Sequence, residues 1–263
     1  MNSWLEKKRI VVIGGTAGIG LSAARTFVQH GASVVVIGLG EESTAGEIES
    51  MLGGAGVVML GDARETSTAS TAISLCLDTF GGFDGLYHVA GGSGRRFGDG
   101  PLHTLTKEAW EKTFDLNLTA LMLSNQAAVR AFLEQGSGGS ILNVTSVLGY
   151  SPSPAYFTTH AYAAAKSAVF GFVKSVASYY ASYNIRINAL APALVETPMS
   201  QRAAGDDQIR RFIETKQPLD GGRLGRPADL DGAAVYFMSD ASNYTTGQTL
   251  SIDGGWTISD GQV

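Results

Sequence analysis

Short apolar runs alternate with longer stretches whose apolar residues recur at helical spacing, from the start of the chain almost to its end. The runs 10–14, 33–37, 56–60, 85–90, 140–145, 186–190 and 248–252 are read as strands. Most are rich in Val, Ile and Leu without strict alternation, as strands covered on both faces must be. Between them, 19–30, 107–135, 161–183 and 228–239 are read as helices, several of them followed by glycine or begun after proline. This order predicts an α/β fold: a Rossmann-like doubly wound parallel sheet of about seven strands with helices on both faces. The glycine-rich segment 136–139 falls between a helix and a strand, where it serves as a turn. No linker or internal repeat divides the chain, so a single dinucleotide-binding and catalytic domain over 1–263 is expected, with substrate loops at about 194–220.

Composition narrows the function classes. Hydrophobic residues make up 44% and charged ones 16%, with 34 Gly, which suits a compact fold with many turns. A net charge of −5 and the lack of a Lys/Arg stripe argue against nucleic-acid binding; Lys7-Lys8-Arg9 is a solvated lead-in to the first strand. No apolar segment is long enough to span a bilayer and the amino terminus lacks a signal-peptide core, so a soluble cytoplasmic protein without membrane contact is expected. Cys76 is the only cysteine; within an apolar helical stretch it is read as a buried structural thiol. With only four His, no metal-ligand cluster is visible, and no catalytic metal is expected.

The first strand runs through Ile13-Gly14-Gly15-Thr16-Ala17-Gly18-Ile19-Gly20 directly into a helix. Gly14, Gly18 and Gly20 follow a G-x-x-x-G-x-G spacing, placing a helix amino terminus and close backbone where a pyrophosphate would sit. A tight turn needing glycine for its backbone angles is the competing reading. Nucleotide choice usually rests on the end of the second strand, where an acid accepts from ribose hydroxyls or a base pairs with a 2′-phosphate. Gly38, Leu39 and Gly40 supply neither, but Glu41 and Glu42 follow closely, which inclines the reading to NAD over NADP. The same glutamates also suit the first turn of a helix.

Tyr162 and Lys166 lie four apart, on one face if the segment is helical. A phenol titrating near pH ~10 is a poor base at neutrality, and a nearby ammonium lowers that value. From this point the sequence resembles the short-chain dehydrogenase/reductase family over nearly its whole length. The glycine turn fits, with Ile13 where threonine is usual, and Asp62-Ala63 fits the acidic position after the third strand. Phe114-Asp115-Leu116-Asn117 fits the active-site asparagine segment, Asn143-Val144-Thr145-Ser146 the strand end with the serine, and Tyr162 with Lys166 the catalytic pair. The run from Ile185 to Pro192 fits the sixth strand, while Gly225-Arg226-Pro227 and Thr246 to Gly255 fit the closing helix and strand.

The resemblance implies roles. Tyr162 would give or take the hydroxyl proton, Ser146 would hydrogen-bond the reacting oxygen, Lys166 would bind the nicotinamide ribose, and Asn117 would complete a water-linked proton path. Gly14, Thr16, Gly18, Ile19, Gly20, Leu39, Asp62, Ala63, Ala90, Gly91, Pro192, Val195 and Thr197 would join Tyr162 and Lys166 in holding the cofactor. Asp62 would contact adenine, and Val195 and Thr197 the carboxamide and phosphates. A homotetramer is also implied.

Three departures stand out. His88-Val89-Ala90-Gly91 replaces Asn-Asn-Ala-Gly and loses two bracing amides; His88 is read as a structural strand residue. Ala193 replaces the glycine common after the proline. The interval from Ser146 to Tyr162 is longer than usual, enlarging one pocket wall with the segment 149–160; His160 within it is read as a packing group.

Substrate choice is expected in the loops 92–101, 149–160 and 199–218. Arg95 and Arg96 are candidate partners for a carboxylate or phosphate on the substrate, or else solvated loop charge. The leading expectation is an NAD(P)-dependent alcohol dehydrogenase or ketone reductase acting on a small-molecule alcohol or carbonyl compound. The alternatives are a 3-oxoacyl-thioester reductase of fatty-acid metabolism and, from another class, a nucleotide-binding regulator without chemistry.

Overall fold

The structure is a computed structural model that describes residues 3–262; Met1 and Asn2, part of the amino-terminal segment discussed above, and Val263 lie outside it. Seven strands form one sheet: β1 (Arg9–Ile13), β2 (Ser33–Gly38), β3 (Gly56–Leu60), β4 (Gly85–His88), β5 (Gly139–Val144), β6 (Ile185–Pro192) and β7 (Thr249–Ile252). Their order is β3-β2-β1-β4-β5-β6-β7, with every neighbouring pair parallel. The order reverses between β1 and β4, which opens a crevice at the carboxyl ends of these strands.

The helices are α1 (Gly18–Gln29), α2 (Glu42–Leu52), α3 (Thr68–Phe80), α4 (Lys107–Phe114), α5 (Ala120–Gln135), α6 (His160–Tyr180), α7 (Gln201–Ala204), α8 (Asp207–Lys216) and α9 (Asp231–Met238). Successive strand residues point to opposite faces, and here both faces are apolar. Val11, Ile13, Val35, Ile37 and Ile141 pack with Cys76 of α3, Phe132 of α5 and Val169 and Val173 of α6. Ile10, Val12, Val34, Val36 and Leu142 pack with Ala23, Ala24 and Phe27 of α1 and Ala234 and Met238 of α9. Two buried layers explain the missing alternation, and each fully buried large side chain contributes about 1.5–3 kcal/mol. A third cluster of Val147, Ala191, Ile209, Phe212, Ile213 and Trp256 lies at and beyond the carboxyl ends of β5 and β6.

Two boundaries differ from expectation for local reasons. The predicted helix over 107–135 is interrupted by a π-helical turn, Asp115–Thr119, between α4 and α5. Within it the Asn117 side chain donates to the Thr113 carbonyl at 2.9 Å and reaches across to Gly92, so the widened turn serves a contact outside the helix. β4 ends at His88 rather than residue 90 because the Val89 and Ala90 amides both turn to the Ile13 carbonyl, at 2.8 and 3.0 Å. Among the described residues no helix is long and apolar enough to cross a membrane, and no cluster of His, Cys, Asp and Glu could hold a metal ion.

Candidate active site

The glycine turn is drawn onto the sheet by the Gly14 and Gly15 amides, which donate to the Ile37 carbonyl at 2.7 and 2.8 Å. Gly14 has φ +84°, and a Cβ there would stand 2.5 Å from the Ala90 nitrogen, so only glycine lets the turns after β1 and β4 approach this closely. Ala17 opens α1 with no side-chain cap and no acid in the first turn. The first amides of α1 therefore keep their hydrogens for an anion, with the positive end of the helix behind them. Thr197, in the loop after β6, stands over Gly18: a Cβ at Gly18 would meet its methyl at 3.1 Å. Thr16 closes the other side, its hydroxyl donating to the Leu39 carbonyl at 3.1 Å. This crevice, with uncapped amides and no Cβ at its tightest point, fits the pyrophosphate of NAD(P).

At the tip of β2, Leu39 is 63% exposed, while Glu41 precedes α2 and Glu42 opens it, both exposed. Asp62 after β3 is bound by Arg64 through Nε at 3.0 and 3.1 Å and Nη2 at 2.5 Å. The Arg64 guanidinium holds the Asp62 carboxyl below the usual carboxylate range. Any group that donates a hydrogen bond to this edge meets a carboxylate already paired with its own cation.

β5 ends at Val144, and the next two residues, with Lys166 of α6, set the reacting corner. Thr145 donates its hydroxyl to the Lys166 carbonyl at 2.6 Å, which ties the strand end to α6. Ser146 is left as the free neighbouring hydroxyl; its oxygen accepts from the Leu148 amide at 3.2 Å and lies close enough to Tyr162 to favour the phenolate. Lys166, only 3% exposed, donates to the Val144 carbonyl at 2.8 Å, and burial lowers its ammonium to about 8. The expected lowering of the Tyr162 phenol by Lys166 is not realised. Burial pushes the phenol upward, the Ser146 hydrogen bond opposes this, and the Lys166 Nζ stands 5.8 Å from the ring centroid, turned toward β5.

Asn117 supplies the bracing that the sequence departure after β4 left open. Its side chain accepts from the Gly92 amide at 3.0 Å and donates to the Gly92 carbonyl at 2.8 Å. His88 is fully buried, with Nδ1 at 3.0 Å from the Ser124 hydroxyl. Since Ser124 itself donates to the Ala120 carbonyl, Nδ1 carries the hydrogen and Nε2 is left as an unpartnered acceptor. Burial, then the Lys166 charge, lowers its pKa to about 3, so the ring is neutral. His160 opens α6 as an exposed residue.

Three contributors escaped the sequence reading. Asp99, 4% exposed in the loop after β4, accepts from the Ala161 and Tyr162 amides at 3.0 and 2.9 Å and so caps the helix that carries the tyrosine. Gln217 pins the loop after β6, accepting from the Leu194 amide at 2.9 Å and donating to its carbonyl at 3.3 Å. Arg202 on α7 and Arg95 both point to the Tyr156 carbonyl, at 3.5 and 3.2 Å. Arg96, paired with Arg95 in the sequence reading, instead lies over the Phe97 ring at 4.7 Å. Each of these contacts joins segments remote in sequence or depends on loop direction, for which no local signal exists.

A family model described as enoyl-(acyl carrier protein) reductase matches residues 14–257. The chain is 33% identical to 3-oxoacyl-[acyl-carrier-protein] reductase of Chlamydia muridarum, over 97% of this chain and 99% of that protein. It is also 33% identical to L-rhamnose 1-dehydrogenase (NAD(P)(+)) of a Sphingomonas species, over 97% of this chain and 98% of that one. A solved short-chain type dehydrogenase/reductase from Mycobacterium ulcerans superposes with a TM-score of 0.86 at 27% identity, covering 97% of this chain and 91% of its own. The chain belongs to the short-chain dehydrogenase/reductase family and is an NAD(P)-dependent oxidoreductase of CH–OH groups.

Proposed function

We propose that the protein interconverts a secondary alcohol and its ketone, with Tyr162 exchanging the hydroxyl proton and NAD preferred over NADP. The observation that carries this is the convergence of Ser146, Tyr162, Lys166 and Asn117 beside the glycine crevice, three of them buried. The nicotinamide supplies or accepts the hydride when bound. Ser146 holds the substrate oxygen through its free hydroxyl, and Tyr162 gives its phenol proton to that oxygen in reduction or takes the hydroxyl proton back in oxidation. Lys166, buried and held by the Val144 carbonyl, is placed to bind the nicotinamide ribose when the dinucleotide is present. Asn117 fixes the backbone at Gly92 on the way in. Gly14, Gly18, Ile19 and Gly20 hold the pyrophosphate, Asp62 and Ala63 border the adenine, and Ala90, Gly91, Pro192, Val195 and Thr197 line the nicotinamide side.

Preference for NAD rests on the tip of β2, where an exposed leucine between glycines offers no cation to a 2′-phosphate and two glutamates follow. We place the protein in the cytoplasm as a single catalytic domain acting within a homotetramer; light scattering tests the assembly. Replacing Tyr162 with Phe should lower kcat about 10²–10⁴-fold while dinucleotide binding survives, and intact turnover would overturn the proposal. Titrating the purified protein with NADH and NADPH side by side, read by fluorescence, tests the preference; tighter NADPH binding would reverse it. A second reading, reduction of a 3-oxoacyl thioester, is favoured by the likeness to the chlamydial reductase. Activity on acetoacetyl-CoA well above that on simple ketones would select it.

A further inference from the structure

The substrate loops bring two arginines together without an acid between them. Arg95 comes from the loop after β4 and Arg202 from α7, yet both guanidinium groups are directed to one backbone oxygen, that of Tyr156 in the segment before α6. Among the described residues neither takes part in a salt bridge. The nearby carboxylate, Asp99, has one oxygen on the Ala161 amide and the other on the Tyr162 amide. The two like charges also face one another: burial and then the Arg202 charge disfavour the Arg95 cation, and the Asp99 carboxylate, itself held by the two amides, offsets this only in part. Two cations sharing one neutral acceptor are electrostatically incomplete, and an oxyanion between them would relieve the repulsion while taking paired N–H bonds from each fork.

The platform under the pair is firm. Tyr156 packs on Phe212 with ring centroids 5.2 Å apart, Phe157 packs on Trp256 at 5.5 Å, and the Trp256 indole donates to the Ser151 carbonyl at 3.2 Å. The arginines thus face a segment anchored on the third core cluster, six residues ahead of Tyr162, and the loop that carries Arg95 is itself tied through Asp99 to the first turn of the tyrosine's helix. In a chain of net charge −5 this is a local positive site at the rim of the reacting corner.

We propose that Arg95 and Arg202 form an oxyanion subsite, so that the alcohol or ketone turned over here carries a carboxylate or phosphate a few atoms from its reacting carbon. The proposal rests on the alcohol–ketone interconversion proposed above, but the subsite itself is testable without turnover. Succinate and glycerol phosphate, titrated separately into the dinucleotide-bound protein and read by tryptophan fluorescence, should give saturable binding by at least one anion. The double variant Arg95→Gln/Arg202→Gln, and each single variant as a check on folding, should weaken that binding at least tenfold. Kinetics then separate the two ligand sources: 4-oxopentanoate against its methyl ester, and dihydroxyacetone phosphate against dihydroxyacetone. One charged partner should exceed its neutral counterpart at least tenfold in kcat/KM, and the double variant should bring that ratio toward one. Anion binding that is absent in the parent, or unchanged in the folded double variant, overturns the subsite. Binding that behaves as expected in a protein without hydride transfer on any pair would overturn the proposed alcohol–ketone reading and leave the subsite standing.

Discussion

Replacing Asp99 with Ala should loosen the helix that carries Tyr162 more than any comparable surface change. The carboxylate is nearly buried and accepts two backbone amides at 3.0 and 2.9 Å, across 62 and 63 positions of sequence. Hydrogen bonds to a charged acceptor are worth about 1.5–3 kcal/mol each, and truncation leaves two amide donors without a partner. The two losses are not additive, and water entering the vacated space offsets part of them, so a net cost of about 3 kcal/mol is expected. For a chain of this size that lowers Tm by roughly 6–12 °C. Asp99→Asn keeps one acceptor of the same shape but turns an N–H toward a second N–H, and should fall between the parent and the alanine variant. Denaturant unfolding with an unchanged m-value measures the cost. Turnover measured well below the new midpoint should also drop about tenfold or more, since small misplacement of a catalytic group is expensive in rate. A cost under about 1 kcal/mol, or indistinguishable Asn and Ala variants, would refute the capping argument.

Three other outcomes follow from the same structure. His88 is held neutral with its pKa lowered to about 3, so on acidification the unfolded chain gains a proton that the folded one does not. Its stabilising contribution is complete above about pH 6.5 and is lost as pH falls toward 3; His88→Asn should remove about 3 kcal/mol of the stability difference between pH 7 and pH 4, measured by urea unfolding. Gly14→Ala places a Cβ 2.5 Å from the Ala90 nitrogen at φ +84°, and should cost about 1–3 kcal/mol and weaken dinucleotide binding at least tenfold, by thermal melts and fluorescence titration. The Cys76 thiol, buried and pushed up to about 12, should resist iodoacetamide at pH 8 in the folded protein and react once urea unfolds it.

The β-strand runs were legible because a parallel sheet covered on both faces writes continuous Val, Ile and Leu into the chain, and all seven appear within a few residues of their expected positions. Gly14 and the start of α1 were legible for a related reason: the turn needs a φ of +84°, a local demand that favours glycine, while the approach of Ala90 that also excludes a Cβ there is tertiary. The pair Tyr162 and Lys166 lay on one turn of one helix, so spacing alone put them together. Tertiary structure decided the rest. The π turn at Asn117 exists because Gly92, from another segment, needs its amide, and no periodicity within 107–135 records that need. The direction of the Tyr162 pKa shift depends on burial, opposed by the Ser146 hydrogen bond, neither of which spacing determines. Arg95 was singled out by its charge, but its partner proved to be Arg202, more than a hundred residues away, rather than the adjacent Arg96. Sequence determines what each segment can form by itself; which distant carbonyls, carboxylates and cations meet is set only when the loops close over the carboxyl edge of the sheet.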